Sequence, residues 1–290
     1  MPAAAYGGSA VQMTVFITKA RVNMKKRFLA LTAVAGLTGA YLASISPRLK
    51  DRPDLSAFNG KVFAHRGMFG GRIVENSLAA FRKAVENRYG IELDVQVSAD
   101  GIAMVVHDEN LMRLYGENAR VSALSAAELG EYGIPTLKEA LEVIDGKVPL
   151  IVELKASGKD VSVAPIAAEI LDEYNGEYCV ESFNPMVLKW FRDCRPEVIR
   201  GQLATGMTKD GKITPKNFML ENLMFDFVSR PDFIAYNHNE AGRISVFLCR
   251  KLFGTPVFAW TVKTAEEWSR CADRFDSYIC EGLPQKKKKQ

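Results

Sequence analysis

Residues 91–107 read IELDVQVSADGIAMVVH. Side chains along a strand alternate between its two faces. In the first half, Glu92 and Asp94 therefore share one face, while Leu93 and Val95 take the other. The tetrapeptide Ser98-Ala99-Asp100-Gly101 is a turn signal, and it joins two apolar runs with no room for a helix between them. The runs 91–97 and 103–107 thus read as a hairpin-like excursion, and one of them stands outside the main sheet.

Working outward, further short apolar runs occur at 62–65, 150–154, 178–183, 199–203, 233–237, 256–262 and 278–280. Between most of them lie amphipathic patterns with helical spacing, at 77–87, 136–144, 163–174, 186–194 and 264–275. In 77–87, for example, Leu78, Phe81, Ala84 and Val85 fall on one face. Strands alternating with helices imply βα units and a mostly parallel sheet. Setting aside one run of the hairpin leaves eight strands, which predicts a (β/α)8 TIM-type barrel; a doubly wound open sheet is the alternative. This α/β domain is expected to span 61–285.

Upstream, residues 28–46 form a charge-free stretch, FLALTAVAGLTGAYLASIS, preceded by Lys25, Lys26 and Arg27. As a helix it spans about 28 Å, close to a hydrocarbon core of roughly 30 Å. It reads as an uncleaved transmembrane signal anchor, with a cleaved signal or a buried helix as alternatives. Five Lys/Arg precede the stretch and three follow it within a few residues, so the positive-inside rule places the N-terminus inside and the barrel outside the cytoplasm. Residues 1–27 are then a cytoplasmic extension, 47–60 a linker and 286–290 a basic tail. The 290 residues carry +4 overall, but residues 1–60 hold +6 and the tail +4, which leaves −6 for the body. An acidic body excludes a general nucleic-acid binder, while basic ends suit a membrane surface. No protein partner is predicted. The five cysteines have no C-x-x-C spacing, so they are expected as free thiols rather than a zinc site.

Polar residues gather at the ends of the apolar runs: His65-Arg66-Gly67, Glu92-Leu93-Asp94, His107-Asp108 and Glu153-Leu154-Lys155. A βα barrel builds its site at those C-terminal strand ends. Glu92 and Asp94 pointing the same way inside a barrel call for a cation, and a hard divalent ion with oxygen ligands meets that need. Glu153 supplies a third oxygen by the same alternation. Two of only three histidines, His65 and His107, sit at these strand ends, as a pair passing protons would. Arg66 and Lys155 beside the acids suit a phosphodiester anion.

Several segments, AHRG at 64–67, ENSLAAF at 75–81, IELDVQVSADG at 91–101, VVHDENLMR at 105–113, IPTLKEAL at 134–141, IVELK at 151–155, ESFNP at 181–185 and AWTV at 259–262, carry a resemblance. In order and spacing the chain resembles the glycerophosphodiester phosphodiesterase family over roughly residues 61–284. The resemblance implies hydrolysis of glycerophosphodiesters to sn-glycerol 3-phosphate and an alcohol. It implies His65 and His107 as the acid/base pair, and Glu92, Asp94 and Glu153 as ligands of one divalent cation, Ca2+ or Mg2+. Arg66 and Lys155 would contact the phosphate, and Trp260 the substrate end of the pocket. Glu75 and Asn76 match a motif that supports the catalytic loop. Val74, Ser77 and the stretch Cys280-Glu281-Gly282-Leu283-Pro284 depart from the family pattern, outside the proposed metal and proton-transfer set. The same chemistry on lysophospholipids or lipid-linked glycerophosphate, and a non-catalytic head-group binder, are the rival readings.

Overall fold

The computed structural model describes residues 8–156, 158–208 and 213–285. The expected basic tail at 286–290 lies outside them. The chain forms two compact units, one ending at Ser44 and one beginning at Ile45.

The first unit is a single helix, Gly8–Ser44. Its segment Lys26–Ser44, 19 residues long, is apolar enough to cross a membrane. Phe28, Leu29, Leu31 and Leu37 on it are exposed. The helix ends at Ser44, so Ile45 and Ser46, read with the apolar run, belong to the second unit, where both are buried.

The second unit is built on nine strands: β1 Val62–His65, β2 Gly90–Val97, β3 Ala103–Val105, β4 Leu150–Leu154, β5 Tyr178–Ser182, β6 Ile199–Ala204, β7 Phe233–Asn237, β8 Val257–Val262 and β9 Ser277–Cys280. Eight run parallel in the order β1-β9-β8-β7-β6-β5-β4-β2, and pairing of β1 with β2 closes the barrel. The ninth, β3, pairs antiparallel with β2. The expected excursion is thus the hairpin of β2 and β3. Helix starts follow their capping chemistry. Ser125, Thr136 and Thr264 each close a capping box with a glutamate three residues on.

Alternation divides the strand residues between two cores. Leu93, Val95, Val152, Leu154 and Val180 face the surrounding helices. Phe63, Ile151, Cys179, Ile199, Leu203, Phe233, Phe258 and Ile279 fill the lumen. Gly201 makes room there, since a Cβ on it would lie 2.2 Å from the Phe233 ring.

The stretch 47–60, read as a linker, packs into this unit instead. Leu55 and Phe58 join the lumen cluster. Phe58 is fully buried and stacks on Phe63 at 6.2 Å, which stacks on Phe258. A proline-flanked polar stretch hides this, because one aromatic residue does the closing. Phe58→Ala is expected to cost about 3–5 kcal/mol by opening a lumen cavity. Urea unfolding checks this, and a loss below about 1 kcal/mol would return 47–60 to a linker.

The five cysteines are free, and all but Cys194 are buried.

Candidate active site

The site lies at the C-terminal ends of the strands. His65 ends β1 and Arg66 follows it with φ 55, a left-handed conformation uncommon outside glycine. That turn aims the Arg66 backbone N–H at Glu92, donating to Oε2 at 2.9 Å. His107 lies just beyond β3. The Gln96 amide anchors this end of the hairpin, reaching the carbonyl oxygens of Val106, His107 and Asp108 at 3.1, 2.9 and 2.8 Å.

Both histidines are tied through Nδ1 to a carboxylate. His65 Nδ1 meets Glu281 Oε1 at 2.8 Å, and His107 Nδ1 meets Asp108 Oδ1 at 2.6 Å. A carboxylate only accepts, so Nδ1 carries the hydrogen and Nε2 is left with a lone pair. His65 Nε2 lies 3.9 Å from Glu92 Oε2. Burial pulls both imidazoles below their ordinary value, while Glu281 and Asp108 work in the opposite direction. Glu281 itself drops to about 2. Its hydrogen bonds from His65 and Lys263 outweigh its burial.

A chain of alternating charges runs around the mouth. Asp108 pairs with Arg113, Arg113 with Glu75, Glu75 with Arg66 at 2.7 Å, and Arg66 with Asp94 at 3.3 Å. Lys155 then bridges Asp94 at 2.8 Å and Glu153 at 2.6 Å. Asn76, also left-handed at φ 54, donates to Asp94 at 2.8 Å. Burial works against the Asp94 charge, but Lys155, His107 and Arg66 hold its carboxyl well below the carboxylate range.

Three other carboxylates are less compensated, and only Glu153 among them has a lysine or arginine partner, Lys155. Glu92, Glu153 and Glu181 are buried and place oxygens within 4.8 Å of one another. Burial pushes Glu153 up to about 7. Burial also raises Glu92 and Glu181, and each is pushed further by the neighbouring acids. Glu181 Oε2 is buried without a hydrogen-bond partner among the described residues.

A cavity of about 520 Å³ is lined by His65, Arg66, Glu92, His107, Glu153, Lys155 and Trp260, seven of the eight residues singled out from sequence. Trp260 packs edge-on to Phe183, with ring centroids 5.6 Å apart. Asp94, expected as a ligand, is fully buried and paired with Lys155, Arg66 and Asn76. Glu181 joins Glu92 and Glu153 in a cluster of carboxylates. It opens the ESFNP segment and pairs in register with Glu153, so strand alternation applied to 178–183 would have found it. Glu281, which lies in a stretch that departs from the family pattern, is the partner of His65. Asp108 and Arg113, which the sequence reading gives no role, carry the ion-pair chain from His107 to Glu75.

Fold and site together define a βα-barrel enzyme that handles a small anionic molecule. Residues 65–275 match the glycerophosphoryl diester phosphodiesterase family, and the chain belongs to it. A glycerophosphodiester phosphodiesterase of Caldanaerobacter subterraneus is 29% identical over 231 residues, covering 72% of this chain and 88% of that one. A human lysophospholipase D is 30% identical over 172 residues, covering 52% and 54% respectively. The fold is similar to that of an Oleispira antarctica phosphodiesterase solved with the product sn-glycerol 3-phosphate. The TM-score is 0.63 at 25% identity, covering 77% of this chain and 93% of that one.

Proposed function

We propose that the protein hydrolyses glycerophosphodiesters to sn-glycerol 3-phosphate and an alcohol, with His65 and His107 as the proton-transferring pair and a divalent cation, Ca2+ or Mg2+, at the buried carboxylates. One observation carries this reading. Two histidines, each oriented by a carboxylate, share a cavity with Arg66, Lys155 and three clustered glutamates, of which only Glu153 has a lysine or arginine partner.

The donor set fits a hard cation: three carboxylates close together, with a buried oxygen that has no partner. Glu92, Glu153 and Glu181 would hold it, with Asp94 beneath them fixing Lys155 and Arg66. When bound, such an ion supplies positive charge against the carboxylates and against a phosphoryl oxygen. Arg66 and Lys155 hold the phosphodiester anion, Arg66 as a fork and Lys155 as a point charge. One imidazole accepts the proton of the attacking hydroxyl at Nε2, and the other, protonated, donates from Nε2 to the leaving alkoxide. Glu281 and Asp108 stabilise the imidazolium form in each case. Phe183 and Trp260 form the apolar wall against the glycerol side. A second cavity of about 820 Å³ shares His107, Arg113, Glu153, Lys155 and Phe183 with the first, giving room for the alcohol arm of the diester.

The helix carrying Lys26–Ser44 is proposed as a membrane anchor, its N-terminus cytoplasmic and the barrel outside, on the length of the apolar segment and the charges flanking it.

The purified, metal-stripped chain is expected to release glycerol 3-phosphate from glycerophosphocholine or glycerophosphoethanolamine once calcium, magnesium or manganese is restored. Glu153→Gln is expected to stay silent. Full activity in chelator would sink the metal reading, and turnover confined to lysolipid would change the substrate.

A further inference from the structure

The segment that follows the apolar helix is clamped along one end of the barrel. Cys249 Sγ donates to the Ile45 carbonyl at 3.4 Å, and Arg230 donates to Ser46 Oγ at 2.7 Å. The Arg48 backbone N–H donates to the Pro231 carbonyl at 3.0 Å, and its guanidinium donates to that of Pro196 at 2.9 Å. Arg52 donates to the Phe253 and Gly254 carbonyls at 2.6 and 3.3 Å. Pro196, Arg230–Asp232 and Phe253–Gly254 come just before β6, β7 and β8. The strap therefore lies at the N-terminal ends of the strands, and the active-site cavity opens at the other ends.

Beside the strap runs the helix Ile244–Leu252, ISVFLCRKL. Its inward face holds the buried residues Ser245, Val246 and Cys249. The outward face of a surface helix is ordinarily polar. Here it carries Ile244, Phe247 and Leu252, exposed at 65, 59 and 56%, together with Lys251. Leu49 on the strap is also exposed. Lys50, Arg52 and Lys251 are exposed and have no carboxylate partner among the described residues. A groove of about 350 Å³ flanks the helix, lined by Phe247, Arg250, Lys251 and Arg274, with Asp273 as its acid. Apolar side chains rimmed by unpaired cations match an anionic lipid surface: the rings and aliphatic groups enter the interface and the cations meet phosphates.

We propose that the strap 48–52 and the outer face of the Ile244–Leu252 helix form a docking surface for an anionic bilayer. The proposal rests on the anchor reading, since only Ile45, Ser46 and Pro47 lie between the end of the apolar helix and the strap. A bilayer against this end of the barrel leaves the cavity mouth open to water.

The full chain tests it. A spin label is attached through Phe247→Cys in a Cys194→Ser background, which removes the exposed thiol. The chain is placed in phosphatidylcholine vesicles with and without phosphatidylglycerol. A second label, through the exposed Lys138→Cys, serves as reference. With phosphatidylglycerol, the label at 247 is expected to lose its accessibility to a water-soluble nickel chelate and gain it to oxygen, while the label at 138 stays aqueous. Lys50→Glu with Lys251→Glu is expected to restore aqueous access at 247 and leave turnover of glycerophosphocholine unchanged, which also reports that the variant folds. A label at 247 as water-accessible as that at 138, in chains that float with the vesicles, would overturn the proposal. Chains that do not float would remove the anchor reading, and the proposal with it.

Discussion

Replacing either His65 or His107 by alanine is expected to lower turnover of glycerophosphocholine by about 10²–10⁴-fold, the usual worth of a positioned acid or base. Each ring has one nitrogen committed to a carboxylate, at 2.8 Å for His65 and 2.6 Å for His107, and one free for the substrate. Both side chains sit at the barrel mouth rather than in the lumen packing, so alanine removes a proton carrier without removing core. The pH dependence has a definite sign. Burial lowers both imidazoles, so the one acting as base keeps its lone pair below the ordinary histidine value. The acid limb of kcat/KM is therefore expected below about pH 6.5, the unperturbed value. Near-wild-type turnover in either purified variant refutes the pairing. An acid limb clearly above that pH refutes the assignment of an imidazole as the base.

Much of the barrel was legible because parallel strands are buried on both faces and so read as apolar runs. All eight appear within a residue or so of their expected bounds, and the turn at 98–101 marked the hairpin without saying which of its two runs lies outside the barrel. Legibility failed where periodicity was absent. ISVFLCRKL is apolar on nearly every side, so its helix at 244–252 gave no amphipathic signal, and the outward residues are the reason. The stretch 47–60 failed differently. Its prolines and charges mark irregular chain correctly, but irregular chain can still deliver a plug such as Phe58.

The site divides the same way. Residues on single strand ends, such as His65, Glu92 and Glu153, follow from alternation along one segment. The dyad of His65 and Glu281 joins residues 216 positions apart. It exists only because β1 pairs with β9 when the barrel closes. Nothing local to Cys280-Glu281-Gly282 announces that. Alternation puts Asp94 on the correct side, but it does not say which cation reaches each carboxylate. Lys155 and Arg66 reach Asp94, while Glu181, one strand beyond Glu153, is left without compensation.

That imbalance supports a second large effect. Glu92→Gln is expected to remove metal-restored turnover by more than about 100-fold, beyond what supporting residues around a metal contribute. It is also expected to make the metal-free protein harder to melt at alkaline pH. Glu92 is 1% exposed, and burial, then Asp94, Glu153 and Glu181, raise its pKa well above the ordinary value. Below the unfolded value, about 4.5, the carboxyl is protonated in both states and contributes no difference. As pH climbs through the raised folded value, the native state must hold a charge that the unfolded chain holds more easily, and stability is lost. Glutamine cannot ionise, and its carbonyl still accepts the Arg66 N–H that Glu92 accepts at 2.9 Å. The variant should therefore melt above the wild type in chelator at about pH 8, with the gap closing towards about pH 5. Adding the cation should reverse the order, because ligand binding stabilises only the chain that still holds it. Thermal midpoints of both proteins at the two pH values, with chelator and with calcium or magnesium, decide the matter. A variant that melts below the wild type in chelator at the higher pH would show that the protein's own groups satisfy the Glu92 charge, and the case for a resident cation would fall with it.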